Sequence, residues 1–336
     1  MKIGKLPEAV LKRSVLTQLH TRRDEVHLSA AIGEDCAALA LEADEMMVLS
    51  TDPITASTAE IGTLAVQVTL NDLASSGAEP VGIMVTLLLP PDTTEDAVRQ
   101  VMMQMEKDCA DANVEIMGGH TEVTDAVNRI LVSVCGVGKV KKDSLVTTAG
   151  VRPGMDLIAT KWIALEGTAI LAKGRETELL KRFPEELIQK AKEMGDHLSV
   201  RREAAVAVQV GVGAMHDVTE GGIYGALWEF AEASGVGLAV ELKKIPIRQE
   251  TIEICEYFGL NPYELISSGC MLMATEHGEE LVQSLQAEGI PASIIGKATV
   301  GNDRIIENNG EKRFLTPPST DEIYKVMGAD SIKAGI

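Results

Sequence analysis

Aromatic side chains are scarce in this chain. Four Phe, four Tyr and two Trp make up only 3% of its 336 residues, so a core must be filled with Val, Ile, Leu, Ala and Met. The apolar content of 45% is ample for that. The five cysteines, at 36, 109, 135, 255 and 270, show no C-x-x-C spacing. Their odd number and small or apolar surroundings point to buried thiols in a reducing compartment, not to a disulfide framework. Neither H-x-x-x-H nor H-E-x-x-H occurs among the six histidines, so a zinc centre is not expected. The longest apolar run, around Val81–Leu89, stops at Pro90-Pro91 and falls well short of the roughly 20 residues that span a bilayer. No Lys/Arg run exceeds two or three residues, and 31 basic against 50 acidic side chains leave a net charge of −19. Such a chain repels nucleic acid and anionic membranes. A cytoplasmic protein without a signal peptide, a membrane partner or a nucleic-acid partner is the expectation.

Strands and helices alternate through both halves, which places the chain in the α/β (α+β) class. The length suggests two domains. "TTAGVRPGMD", with two Gly and a Pro between strands, marks the boundary, giving domains 1–148 and 149–336. "EMMVLSTDP" reads as a strand ending on Asp52-Pro53, and "VGIMVTLLLP" as a second. Pro90-Pro91-Asp92-Thr93-Thr94-Glu95 opens a helix that runs to about Asn113. "VEIMGGHTEVTD" reads as a strand running into a glycine turn, and "RILVSVCGVGKV" as one that bends at Gly136 and Gly138. In the second half, "MHDVTEGGIYGALWEFAEASG" is a loop opening a helix.

"VQVTLNDLASSGA" poses a problem. It has the composition of a buried helix, yet Asp72 lies one helical step from Val68 and Ala65, on the apolar stripe itself. An unpaired buried carboxylate costs several kcal/mol, and nothing nearby in sequence offers an Arg or Lys. Further acids fall at turns and element ends: Asp35 in Gly33-Glu34-Asp35, Asp52, Glu122, Asp217 and Glu220. Each has a plainer alternative. Asp35 and Asp52 fit ordinary turns, Gly118-Gly119 fits a simple turn, and Asp217 with Glu220 fits a helix capping box. If the acids converge, they repel one another by about 4 kcal/mol per pair at about 4 Å and so call for cations. Mg²⁺ takes one or two carboxylates together with phosphates, so four or more acids imply a metal–polyphosphate site. Glycine turns and helix N-termini would line the phosphates. No G-x-x-x-x-G-K-[ST] or G-x-G-x-x-G fingerprint is present.

Six motifs stand in one order: Gly33-Glu34-Asp35, Ser50-Thr51-Asp52, Asn71-Asp72-Leu73-Ala74 with Gly77-Ala78, Gly118-Gly119-His120-Thr121, Glu166-Gly167-Thr168-Ala169, and Asp217-Val218-Thr219-Glu220-Gly221-Gly222. The series resembles the aminoimidazole ribonucleotide (AIR) synthase-related, PurM-like superfamily. The match is best to its hydrogenase-maturation branch, the carbamoyl dehydratase HypE type, through "LNDLASSGA", "DVTEGG" and "LEGTAIL". The resemblance implies a two-domain fold, a homodimer whose N-terminal sheets pair into a barrel, and ATP with Mg²⁺ in a cleft. It also implies phosphorylation or activation of an oxygen on a small-molecule or protein-borne acceptor, with a maturation protein as a possible partner. Carried over by position, Asp35, Asp52, Asp72, Asp217 and Glu220 hold metal. Asn71, Gly118, Gly119, His120, Thr121, Thr219, Gly221 and Gly222 contact the nucleotide.

The chain departs from the branches in places. Thiamine-monophosphate kinases carry Asp where this chain has His120, whose role stays open among metal ligand, phosphate donor and structural turn residue. Selenophosphate synthetases share the His but need a nucleophile in a glycine-rich N-terminal segment. The HypE type delivers its substrate on a C-terminal cysteine, whereas Ser331–Ile336 contains none. The expectation is therefore a HypE-like paralogue that keeps the ATP site without the standard carbamoyl-carrying end. A thiamine-monophosphate kinase-like enzyme and a non-catalytic ATP-binding partner are the alternatives.

Overall fold

The computed structural model describes residues 3–32, 36–54 and 60–326. Gly33, Glu34, Asp35 and Ser331–Ile336, and whatever was expected of them, lie outside those residues. The chain divides into two compact units, Met1–Leu145 and Val146–Ile336.

Unit 1 is built on a five-stranded mixed sheet. Its strands are β1 (Gly4–Lys5), β4 (Glu45–Ile54), β5 (Glu79–Leu89), β6 (Glu115–Val123) and β7 (Leu131–Lys141), in the order β1-β6-β5-β7-β4. Two short strands, β2 (Val26–Leu28) and β3 (Ala38–Leu39), pair apart from it. Only β5 and β6 run parallel, joined by the crossover helix α3 (Glu95–Ala112) as a parallel pair requires. Thr94 caps that helix by accepting from Ala97 N, and Asn113 ends it in the left-handed conformation. Helix α2 (Ile61–Ser75) packs beside α3 on one sheet face, while the short α1 (Glu8–Ser14) contacts α3. Leu70, Leu73, Ile83, Leu87, Val98 and Met105 are fully buried between these helices and the sheet. The opposite sheet face is open, with Met47 and Leu49 of β4 exposed by 47% and 60%.

The Gly118-Gly119 pair expected to turn the chain does not, and the bend expected at Gly136 and Gly138 would fall within a continuous strand. Gly118 and Gly119 lie inside β6, and Gly136 and Gly138 inside β7. The reason at Gly119 is close approach. Its φ is +151°, and a Cβ there would sit 2.0 Å from the Val85 carbonyl oxygen of β5. Glycine is used here to let two strands meet across a register shift between Ile83 and Met84.

Unit 2 carries a seven-stranded sheet in the order β14-β13-β10-β12-β8-β11-β9. These are β8 (Asp156–Thr160), β9 (Ala214–Val218), β10 (Gly237–Glu241), β11 (Cys270–Thr275), β12 (Ala292–Thr299), β13 (Arg304–Asn308) and β14 (Glu311–Phe314). All neighbours are antiparallel except β10 and β13. Every residue of β11 is buried, as a strand covered on both faces must be. The helices are α4 (Leu165–Gly174), α5 (Glu176–Leu179), α6 (Glu185–Glu193), α7 (Arg201–Val210), α8 (Gly222–Ser234), α9 (Gln249–Phe258) and α10 (Gly278–Ala287). One core joins α8 to the sheet around Phe230, Leu227, Leu238 and Leu272, and a second gathers α4, α6 and α9 around Leu171, Ile188 and Ile254. Among the described residues no helix is long and apolar enough to cross a membrane.

Candidate functional site

Alternation along β4 decides where its motif residues face. Met46, Val48, Ser50, Asp52 and Ile54 are partly buried, and Val48 and Ile54 pack on the helix-side core. Met47, Leu49, Thr51 and Pro53 are exposed. Ser50 and Asp52 therefore project to the side that carries α2. There the Ser50 hydroxyl donates a hydrogen bond to the Asp72 carboxylate. Asp72 is half-buried, whereas its neighbour Asn71 is fully enclosed. The puzzle of the acid on the apolar stripe thus has a partial answer in a serine hydroxyl 22 positions upstream. Ser50 stood in the motif, but nothing local in the sequence ties it to Asp72; the signal was its two-residue spacing from Asp52.

Sheet register ties Asp52 to the glycine pair. Asp52 opposes Val134, Val134 opposes Val85, and Val85 opposes Gly119, so the four form one row across β4, β7, β5 and β6. Three strand spacings separate its ends, about 14 Å. The adjacent rows point the other way. Thr51, Cys135 and Met84 lie beside Gly118, and Ser133 and Thr86 beside His120. With Gly119 and Thr121 these residues line a cavity of about 640 Å³, which Leu11 and Val15 of the N-terminal segment also line. His120 Nε2 lies 3.0 Å from Glu122 Oε2 on this half-exposed face, so the imidazole is oriented by a carboxylate. Unit 1 thus brings Gly118, Gly119, His120 and Thr121 into one concavity and sets Ser50, Asp52 and Asp72 toward the helices.

In unit 2 Asp217 is not in a loop: it belongs to β9, 5% exposed and opposite Met271. Thr219, Glu220, Gly221 and Gly222 then turn the chain into α8. Gly221 and Gly222 have φ of +79° and +59°, and a Cβ on Gly222 would meet the Tyr263 carbonyl oxygen at 2.6 Å. The N-cap of α8 is Gly221 and not Asp217, which lies in β9, so the capping-box alternative for Asp217 and Glu220 falls away. The acceptor comes instead from Asp321, a hundred residues on, whose Oδ2 takes the Gly221 N–H at 2.7 Å and whose Oδ1 takes that of Ile323 at 2.8 Å. Tyr324 donates its hydroxyl to Glu220 Oε1 at 2.9 Å.

Glu166 in the first turn of α4 completes this acidic group. It is 5% exposed, hydrogen-bonds with Ser268, and leaves Oε2 without a hydrogen-bond partner. Burial pushes its carboxyl up to about 7, with the charges of Asp321 and Glu220 adding to the shift and Ser268 opposing it. Burial likewise raises Asp321, against its backbone hydrogen bonds. Sequence reading set Glu166 in a motif without a role, and Asp321 and Tyr324 carried no signal because their partners are so distant in the chain.

Among the described residues no three His, Cys, Asp or Glu side chains stand close enough to hold a metal ion by themselves. The donor set still suits Mg²⁺, which takes one or two carboxylates and fills its remaining positions with phosphate and water. Asp52 and Asp72, on neighbouring elements and facing the same side, provide that number.

Comparison with known proteins agrees with the motifs. Residues 33–140 match the AIR synthase related protein, N-terminal domain, and residues 152–307 match its C-terminal domain. The chain is 30% identical to a protein named for hydrogenase expression and formation in Methanocaldococcus jannaschii, over 96% of this chain and 97% of that one. It is 28% identical to the carbamoyl dehydratase HypE of Rhodobacter capsulatus, over 87% and 83%. A crystal structure of the hydrogenase maturation protein HypE in complex with ATP superposes with a TM-score of 0.80 at 22% identity, covering 95% of this chain and 97% of that one. The thiamine-monophosphate kinase of Stenotrophomonas maltophilia K279a follows at a TM-score of 0.74 and 19% identity, covering 92% and 99%. At such identities the two structures speak for the fold.

Proposed function

Because the chain belongs to the AIR synthase related family, we propose that it is a Mg-ATP-dependent HypE-like enzyme that phosphorylates or activates an amide, carbonyl or phosphate oxygen. Hydrogenase or metallocentre maturation is the setting favoured by its relatives. The observation that carries the reading is the placement of Asp52 and Asp72 on one side of the unit 1 sheet, with Ser50 holding the Asp72 carboxylate.

In this reading Asp35, Asp52 and Asp72 are metal ligands, as are Asp217 and Glu220. Asn71, Gly118, Gly119, His120, Thr121, Thr219, Gly221 and Gly222 contact the nucleotide. Bound Mg-ATP would supply the phosphoryl group and neutralise the charge that builds as it transfers. The chain's own part is positioning. Ser50 donates to Asp72, which helps fix the rotamer of the carboxylate. His120 lines the same cavity as Gly118 and Gly119, its ring orientation set by the contact of Nε2 with Glu122.

A homodimer through the open face of the unit 1 sheet is part of the proposal, supported by the exposure of Met47 and Leu49. The test of function is ATP turnover with carbamoyl-bearing and thiamine-monophosphate acceptors. ADP release driven by a carbamoyl acceptor supports the reading. Release driven by thiamine monophosphate alone selects the kinase alternative, and nucleotide binding without turnover by any acceptor selects the non-catalytic one.

A further inference from the structure

A second concavity, free of every motif residue, opens beside the edge strand β14. It holds about 320 Å³. Its wall is a pair of tyrosines, Tyr224 of α8 and Tyr263 of the loop before β11, stacked at 5.2 Å and 13° from parallel. Ile306 and Leu315, both buried, form an apolar lining. Arg313 is the cross-strand partner of Ile306 and so stands on the same face of the sheet. Glu264 is the other charged group at the rim.

The tyrosines are held in place rather than loosely packed. Tyr224 N donates to the Tyr263 carbonyl at 3.1 Å, Tyr263 N to Asn261 Oδ1 at 3.2 Å, and Asn261 N to Glu322 Oε2 at 2.9 Å. Both rings are partly buried, yet neither phenol hydroxyl has a hydrogen-bond partner among the described residues. Burial pushes the Tyr224 hydroxyl up to about 12, with Glu264 adding to the shift and Arg313 opposing it. It therefore stays a neutral donor near Arg313. Stacked aromatic rings, phenol donors, an apolar lining and one cation meet in a concavity of the size at which small-molecule pockets begin, about 300 Å³.

We propose that this cavity binds a small aromatic acid, its ring against the Tyr224–Tyr263 pair and Leu315, and its anionic group on Arg313. An aliphatic acid would leave the ring faces uncovered, and a neutral aromatic would forgo the charge-assisted hydrogen bonds of the guanidinium. The volume admits one ring or a fused pair.

The probe is 4-hydroxyphenylacetate, followed by saturation-transfer NMR on the full chain, with the neutral 4-hydroxyphenylacetamide as charge control. The proposal expects saturable transfer to the ring protons, weakened about tenfold by Arg313→Ala, by Tyr263→Leu and by the amide. Asp72→Asn should leave it unchanged. The Arg313 side chain is 82% exposed, so its removal leaves the fold intact, which circular dichroism checks. Absence of saturable transfer, equal affinity for acid and amide in both intact and Arg313→Ala chains, or loss of transfer in Asp72→Asn would each overturn the assignment.

Discussion

Ser50 and Glu166 show how single residues in this protein are governed by partners distant in sequence. Ser50 holds Asp72 through a hydroxyl, an interaction of the kind that orients a metal ligand rather than binding the metal. Replacing it with Ala should weaken Mg-ATP binding by about tenfold while leaving the fold stable, measurable by calorimetric titration. Asp72→Asn should cost far more, because a ligand charge is lost. Glu166 tests a different effect. Its carboxyl titrates near 7 in the fold against 4.5 ordinarily, so between those values the folded chain holds a proton that the unfolded chain has released. Stability is therefore greatest below the unfolded value and declines as pH rises through the folded one, by about 3 kcal/mol at most for this group. Glu166→Gln should flatten that decline. Urea unfolding at about pH 5 and about pH 8 would show it, and an unchanged slope in the variant would reject the role given to burial.

At the scale of elements, periodicity and punctuation made much of the architecture legible. The apolar run of "EMMVLSTDP" placed β4, and the Pro90–Glu95 segment placed the start of α3. What failed was the reading of paired glycines as turns. A glycine that lets strands approach and a glycine that turns the chain look alike in sequence, and only the Val85 carbonyl beside Gly119 distinguishes them. Gly119→Ala should therefore act as a packing lesion and not as a turn defect. The methyl would sit 2.0 Å from that oxygen at a φ that side chains avoid. Destabilisation of about 3 kcal/mol or more is expected in urea unfolding, and a loss under about 1 kcal/mol would mean that β5 and β6 yield easily. The loop ahead of α8 was equally opaque. Its acceptor, Asp321, belongs to a segment with no sequence link to "DVTEGG".

For the whole molecule, the order of motifs was more informative than any motif alone. Each short motif alone is common, and six in family order over two units are not, which is why the fold and family could be read while the acceptor could not. The acceptor is chosen by side chains that line concavities, and these come together only in three dimensions. Association is the molecular property most open to test. Leu49→Asp puts a charge on the open face of the unit 1 sheet, so light scattering should find a dimer for the intact chain and a folded monomer for the variant. A monomeric intact chain would remove the barrel from the account.

A Mg-ATP site anchored on Asp72 makes a direct prediction for thermal unfolding with Mg-ATP of the intact chain and of Asp72→Asn. At about a hundred times the dissociation constant the ligand should add about 2.7 kcal/mol of stability, dependent on magnesium and absent from the variant. An intact chain whose unfolding is indifferent to Mg-ATP would contradict it.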